Sequence, residues 1–284
     1  MSEGYPSPRG LISASLIGSL LSCSDLSGSA VLLFGGPQVI CDRGRLEVPD
    51  GSKRLLAFVA LSAGRVDRGY AAGSLWPMSS DQRAAGNLRS ALWRLKSAGI
   101  DVLEGDKWAL ALRRRIVVDV GLVWEWATRL VDGSATRDDL FVANWRGSTL
   151  DLLPAWSDDW VVFERERIRQ RLLHALEALS RRLAEIGRPA DAVDAALWVV
   201  SADPMRESAN RVLIEAHMAE GNIIEARRIY RRYCDALRRE FSAEPSDQLV
   251  SLMRTKTRPR WKAVAARPDG PEPVVATPAR ADHR

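Results

Sequence analysis

Two glycines and two alanines recur at one spacing in the second half of the chain, and this internal repeat constrains the fold more than any other feature. Gly187 and Gly221 are 34 residues apart, and so are Ala192 and Ala226. Each glycine opens a segment with helical periodicity, and Asp203-Pro204 separates the two segments. Glycine permits tight turns between antiparallel helices, and alanine lets helices approach closely. The repeat therefore predicts stacked helical hairpins.

The period and its small residues are typical of tetratricopeptide-like repeats. Two units are few for a stable stack, so a long helix from Ser157 to Ile186 and the segment Pro245–Met253 are expected to complete it. Apolar residues at helical spacing also run from Gly121 to Val131. Residues 121–253 are thus predicted to form an α-helical domain. The predicted buried stripe of its long helix consists of Trp160, Phe163, Ile168, Leu172, Leu176, Leu179 and Leu183.

Residues 30–120 predict a different architecture, in which short strands precede three helices and a hairpin. The strands are expected at Val31–Phe34, Gln38–Cys41 and Arg45–Val48. The helices are expected at Lys53–Ala63, Arg68–Leu75 and Gln82–Lys96. The hairpin joins Asp101–Glu104 to Lys107–Leu112, and a further strand follows at Ile116–Asp119. A hairpin directly after the third helix is the wing of a winged helix-turn-helix. The predicted fold class is therefore mainly α with small β, a winged helix followed by a tetratricopeptide-like helical domain.

The third predicted helix has an unusual polar face. Its apolar residues recur at steps of three and four and define a buried stripe of Ala84, Ala85, Leu88, Ala91, Leu92 and Leu95. The opposite face carries Arg83, Asn87, Ser90 and Arg94, with Arg89 and Trp93 beside them. The sequence contains no Asp or Glu between Asp81 and Asp101. Cations and amides suit the major groove of DNA, where arginine can bond guanine and asparagine can bond adenine. An ordinary solvated face is the alternative.

The distribution of charge supports a polyanionic partner for the first half. Residues 1–120 have a net charge of +4, residues 121–253 of −4 and residues 254–284 of +5. In the wing, Lys107 or the Arg113-Arg114-Arg115 triplet could contact phosphates, and a solvated turn is the alternative for the triplet. The arginines on the later helices are interpreted as a solvated face because their domain is acidic.

The composition of the two termini and the scarcity of cysteine and histidine exclude several classes of function. Residues 1–29 are interpreted as a flexible lead, since Arg9 is the only cation available to a signal or lipid-attachment sequence ending near Cys23. Residues 254–284 are rich in proline and are expected to be a disordered basic tail. The three cysteines form no CxxC pair, the three histidines are scattered, and no run of 18 residues is apolar. Neither a disulfide scaffold, a metal, a cofactor nor a membrane span is expected, and no residue cluster suggests an enzyme.

Several short motifs occur in an order that resembles that of a known family. In the first domain the motifs are Leu75-Trp76-Pro77, the run from Asn87 to Lys96, and Val118-Asp119-Val120. In the second they are Asp159-Trp160, Glu164-Arg165-Glu166-Arg167, Asp203-Pro204, Gly221 with Glu225-Ala226, and Glu244-Pro245-Ser246. Over residues 30–253 the chain resembles the Streptomyces antibiotic regulatory protein family. These bacterial activators have an OmpR-type winged helix followed by a bacterial transcriptional activation domain.

The resemblance implies roles for individual residues and a set of partners. The third helix would enter the major groove of double-stranded DNA and face the bases with Asn87, Ser90 and Arg94. Residues near the phosphates would be Trp76, Arg83, Arg89, Trp93 and Lys96, joined by Lys107, Arg113 and Arg114 from the wing. Copies would bind direct repeats side by side as a homodimer on DNA, and the helical domain would recruit RNA polymerase. A cytoplasmic location is expected.

The sequence therefore predicts a sequence-specific DNA-binding transcriptional activator without enzymatic activity. The alternative is a helical-repeat scaffold for protein partners that has a non-functional winged helix. Salt distinguishes the two, because an activator that neutralises several phosphates loses DNA affinity steeply as salt rises.

Overall fold

The computed structural model describes residues 29–41, 44–62, 64–140 and 151–256, with only the backbone for Thr255 and Lys256. The predicted lead before Ser29, with Cys23, and the predicted tail after Lys256 lie outside the described residues. Among the described helices, none is both long and apolar enough to cross a bilayer.

The first described strands belong to a four-stranded sheet in which the last strand comes from far along the sequence. β1 (Ala30–Leu32), β2 (Gln38–Cys41) and β3 (Gly44–Leu46) pair antiparallel in chain order. β7 (Val117–Val118) pairs parallel to β1 on its other side, with Ala30 opposite Val117. The strand predicted at Ile116–Asp119 therefore joins this first sheet.

Three helices and a small second sheet form the winged helix. The helices are α1 (Asp50–Leu61), α2 (Arg68–Leu75) and α3 (Asp81–Ser97). The second sheet has the order β4-β6-β5, from β4 (Val66–Asp67), β5 (Leu103–Gly105) and β6 (Ala109–Leu112). The buried side chains that hold these elements together include Leu55, Phe58, Leu75, Leu88 and Leu110. This arrangement confirms the predicted fold class for the first part of the chain.

The described residues after β7 form seven helices, and consecutive long helices pack side by side. They are α4 (Asp119–Val131), α5 (Arg137–Leu140), α6 (Asp159–Glu185), α7 (Pro189–Ala202), α8 (Glu207–Glu220), α9 (Ile223–Phe241) and α10 (Asp247–Lys256). Gly187 and Gly221 follow α6 and α8 with left-handed φ angles of 79° and 88°. The paired alanines, Ala192 and Ala226, are fully buried. The tetratricopeptide-like prediction is confirmed.

The predicted buried stripe of α6 is wrong at one position. Phe163 is 68% exposed, whereas Val161 is fully buried. Val161 lies seven residues before the buried Ile168, which is about two helical turns, so the two side chains share a face. Phe163 lies five residues before Ile168 and therefore projects from the opposite side of the helix.

A buried carboxylate joins the first sheet to the helical region. Oδ2 of Asp119, at the start of α4, accepts hydrogen bonds from the backbone N–H groups of Leu33 (2.8 Å) and Phe34 (3.0 Å). Its Oδ1 accepts one from the N–H of Val120. Burial raises the pKa of Asp119 to about 7, although these three N–H donors act in the opposite direction. Buried hydrogen bonds to this carboxylate thus connect the first sheet to α4.

Arg165 on α6 holds the segment that precedes this helix. Its Nε donates to the carbonyl of Leu152 at 3.0 Å, and its Nη2 donates to those of Leu153 at 2.7 Å and Trp156 at 3.1 Å. The N–H of Leu153 in turn donates to the carbonyl of Leu33 next to β1. The guanidinium therefore satisfies three backbone carbonyls of a segment that packs against the first sheet.

Candidate nucleic-acid interface

α3 is anchored through one face and presents the other to solvent. Ala84, Leu88, Ala91 and Leu95 are buried at steps of three and four. The carbonyl of Ala91 accepts a hydrogen bond of 2.8 Å from the buried hydroxyl of Ser52 on α1. Asp81 lies in the first turn of α3 and Arg94 and Lys96 in the last, which suits the helix dipole at both ends. The orientation of the outer face is therefore fixed by packing.

The outer face of α3 brings the sequence-predicted residues together. The exposed side chains are Arg83, Arg89, Ser90, Trp93, Arg94 and Lys96, whereas Asn87 is half-buried. At about 100° per residue, positions 83, 87, 90 and 94 share one edge of the outer face. Positions 89, 93 and 96 share the other edge. The three residues predicted to face bases thus lie along one edge. Trp93, which is predicted to flank them, is 69% exposed and lies on the other edge.

Arg94 does not extend freely into solvent. Its Nη2 lies 3.4 Å from the carbonyl oxygen of Gly51, to which it donates a hydrogen bond. Gly51 is in the first turn of α1. The guanidinium therefore rests against the start of a neighbouring helix.

Trp76 is in a different environment from the other predicted phosphate contacts. It follows α2 directly, is half-buried, and its backbone N–H donates to the carbonyl of Ala72. Its ring packs against the buried side chains of the winged helix. Part of the Trp76 side chain is therefore buried in the core of the winged helix.

The turn of the wing is held by one carboxylate. Oδ1 of Asp106 accepts hydrogen bonds from the N–H groups of Trp108 (2.8 Å) and Ala109 (2.9 Å). These backbone N–H bonds hold the pKa of Asp106 below its usual range. Lys107 projects from this turn, and its ammonium lies 4.9 Å from the centre of the Trp108 ring. Trp108 is 67% exposed, so the turn presents a cation and an aromatic ring together.

Arg113 and Arg114 lie at the other end of the wing. β6 ends at Leu112, and both arginines are exposed in the turn that leads to β7. Arg113 donates to Asp101 at 2.9 Å. The structure therefore separates these two predicted phosphate contacts from Lys107 by the length of the hairpin.

Sequence reasoning overlooked two cations near the wing turn. Nη2 of Arg65 lies 2.5 Å from Oδ2 of Asp106, and Nη1 of Arg68 donates to the carbonyl of Asp106 at 2.9 Å. They flank β4, which pairs with β6. The two arginines on either side of Val66-Asp67 were the available signal, but the pairing of this segment with the wing is a long-range contact.

The interface is coupled to the helical region through α1. Arg54 forms an ion pair with Asp158, the residue before α6. The ring of Phe58 meets that of Trp160 edge-on, with 5.2 Å between centroids. In the described part of the chain no group of three or more His, Cys, Asp or Glu side chains is placed to hold a metal.

Comparisons with known proteins agree with this architecture. Residues 135–255 match the family described as the bacterial transcriptional activator domain. A solved structure, Mycobacterium tuberculosis EmbR in complex with low affinity phosphopeptide, matches with a TM-score of 0.63 and 20% sequence identity. The match covers 80% of this chain and 64% of that chain. No curated protein matches significantly. The chain is thus similar in fold to EmbR and, over residues 135–255, similar in sequence to the bacterial transcriptional activator domain.

Proposed function

We propose that the chain is a transcriptional activator that binds double-stranded DNA through α3 and the wing. The observation that carries this proposal is the exposed outer face of α3, which has arginines, lysine, amide and hydroxyl groups and no carboxylate after Asp81. A helix anchored on one side and cationic on the other has the form that enters a major groove. The division of the chain into a DNA-binding part, residues 30–120, and an activating part, residues 121–253, belongs to the same proposal.

Specific roles follow for the side chains of the interface. Asn87, Ser90 and Arg94 share an edge of α3 and would face the bases, with Arg94 reading guanine and Asn87 reading adenine. Cations and aromatic residues around them would contact the phosphates or sugars, where they position the protein without reading sequence. This second group comprises Trp76, Arg83, Arg89, Trp93, Lys96, Lys107, Arg113 and Arg114.

The helical region would act through protein contacts. It matches a domain family of transcriptional activators, and its net charge of −4 over residues 121–253 disfavours DNA as its partner. RNA polymerase and a second copy of the chain on adjacent direct repeats are the proposed partners. The proposed location is the cytoplasm, where bacterial DNA is found.

The salt dependence of DNA binding tests this function. The parent chain should bind a duplex from its own upstream region with an affinity that falls steeply with salt. Lys107→Ala should reduce the slope of log affinity against log salt by about 0.9, because one phosphate contact is lost. Arg232→Ala is the matched control, since Arg232 is an exposed cation on α9, far along the chain from the wing. Negligible, salt-insensitive binding by the parent would instead favour the scaffold alternative.

A further inference from the structure

A glycine on α1 makes room for the guanidinium of Arg94. A Cβ atom placed on Gly51 would lie 2.9 Å from Nη2 of Arg94 and 3.0 Å from its Cζ and Nε. These separations are too short for ordinary contacts, so any side chain at position 51 would displace the guanidinium. The adjacent Ser52 donates a hydrogen bond to the carbonyl of Ala91, which holds α1 against α3 beside Gly51.

The backbone itself gives no reason for glycine at this position. Gly51 is the second residue of α1 and does not have a left-handed φ angle. Alanine is favoured over glycine in a helix, because glycine loses more conformational freedom on folding. The space that the missing side chain leaves is therefore the feature that distinguishes glycine here, and Arg94 occupies that space.

We propose that Gly51 is a positioning residue for DNA recognition, which holds the guanidinium of Arg94 against its backbone at the base-facing edge of α3. This inference rests on the proposed function, in which Arg94 reads a base. The planar guanidinium has fixed donor directions, so its orientation decides whether it can bond a guanine bidentately. A guanidinium already confined before binding loses less rotamer freedom when DNA arrives.

Gly51→Ala tests the proposal because it should affect binding and folding in opposite directions. The variant should be at least as stable as the parent, since alanine favours the helix and the end of the Arg94 side chain can move aside. Its affinity for the duplex that the parent enriches from a random-sequence pool should fall about three- to tenfold. Gly121→Ala is the matched control. Gly121 also lies exposed in a first helical turn, and a Cβ atom there would approach no other described element within 4 Å.

A double-mutant cycle separates positioning from an independent contact. In an Arg94→Ala background, Gly51→Ala should cost no further affinity, because the group that it displaces is absent. Equal losses in both backgrounds would overturn the proposal and indicate that DNA approaches Gly51 directly. An unchanged affinity of Gly51→Ala beside a weakened Arg94→Ala would also overturn it, while leaving the proposed function intact.

A second measurement on the free protein does not depend on DNA. The ¹⁵N relaxation of the Arg94 Nε–H group should report restricted motion in the parent and greater motion in Gly51→Ala. Equal mobility in the two proteins would refute the positioning role, whether or not a duplex is enriched. Failure to enrich any duplex would separately count against the proposed function.

Discussion

Asp119 is the residue at which the first sheet and the helical region meet. The motif that contains it, Val118-Asp119-Val120, is visible in the sequence, but the partners of its carboxylate, Leu33 and Phe34, are 86 and 85 residues away. A pattern along the chain cannot indicate such a contact. The structural role of Asp119 therefore emerges only when β1 and the start of α4 are seen together.

The raised pKa of Asp119 predicts a pH dependence of stability. Its pKa is about 7 in the folded chain against 3.8 for an ordinary aspartate, so the folded state binds the proton more tightly. The stabilisation is complete below pH 3.8 and is lost as pH rises through 7. The free energy of unfolding by urea should therefore contain a component from Asp119 that falls by about 2 to 3 kcal/mol between pH 5 and pH 8.

Asp119→Asn provides the control for this prediction. Asparagine keeps an acceptor oxygen but does not titrate, so the variant should lack that component while retaining the contributions of all other groups. If the parent and the variant lost the same stability over this pH range, a shared origin elsewhere in the chain would be indicated and the assignment to Asp119 would be wrong.

At the scale of elements, local patterns predicted most of the helices and fewer of the strand contacts. Arg68–Leu75 has the predicted bounds, and α3 and α6 differ from prediction by one or two residues at their ends, because amphipathic periodicity and caps are local. The parallel pairing of β7 with β1 and the pairing of β4 with the wing were not predicted. Both join segments distant in sequence, and short strands carry little information about their partners.

The same limit applies to the candidate interface. The apolar residues at steps of three and four placed Asn87, Ser90 and Arg94 on the opposite, outer face of α3 from sequence alone. The contact of Arg94 with Gly51, and the contacts of Arg65 and Arg68 with the wing turn, join different elements. Helical periodicity could identify the face, but only the packing of α1, β4 and the wing shows which groups lie beside it.

The helical hairpins depend on the conformation of their turn residues. Gly221 has a φ of 88°, and a Cβ atom placed there would meet no other described group within 4 Å, so the cost of a side chain comes from the backbone conformation alone. Gly221→Val should lower the free energy of unfolding by about 1 to 2 kcal/mol. Gly221→Asn should cost clearly less, because asparagine tolerates this conformation. Thermal or urea unfolding of both variants tests the prediction, and equal stability of the valine variant and the parent would argue against this function of the turn.

For the whole molecule, the interface and the helical region form a connected structure. Buried side chains of β1, α4 and α6 belong to one hydrophobic core, and α1 reaches α6 through Phe58 and Arg54. A positively charged first part and a negatively charged helical part are thereby held in a fixed relation. Such a connection would let a protein bound to the helical region be placed at a defined position relative to the DNA.

Selection of duplexes from a random-sequence pool, carried out in parallel with the parent chain and with Arg94→Ala, shows whether α3 reads bases. The parent should enrich a defined motif, present as two copies in the same orientation. Arg94→Ala should lose preference at one base position and bind the selected duplex more weakly by about 1 to 3 kcal/mol. If the parent enriched no motif at physiological salt, or if Arg94→Ala gave the same motif with the same affinity, α3 would not be a base-reading helix in the way proposed.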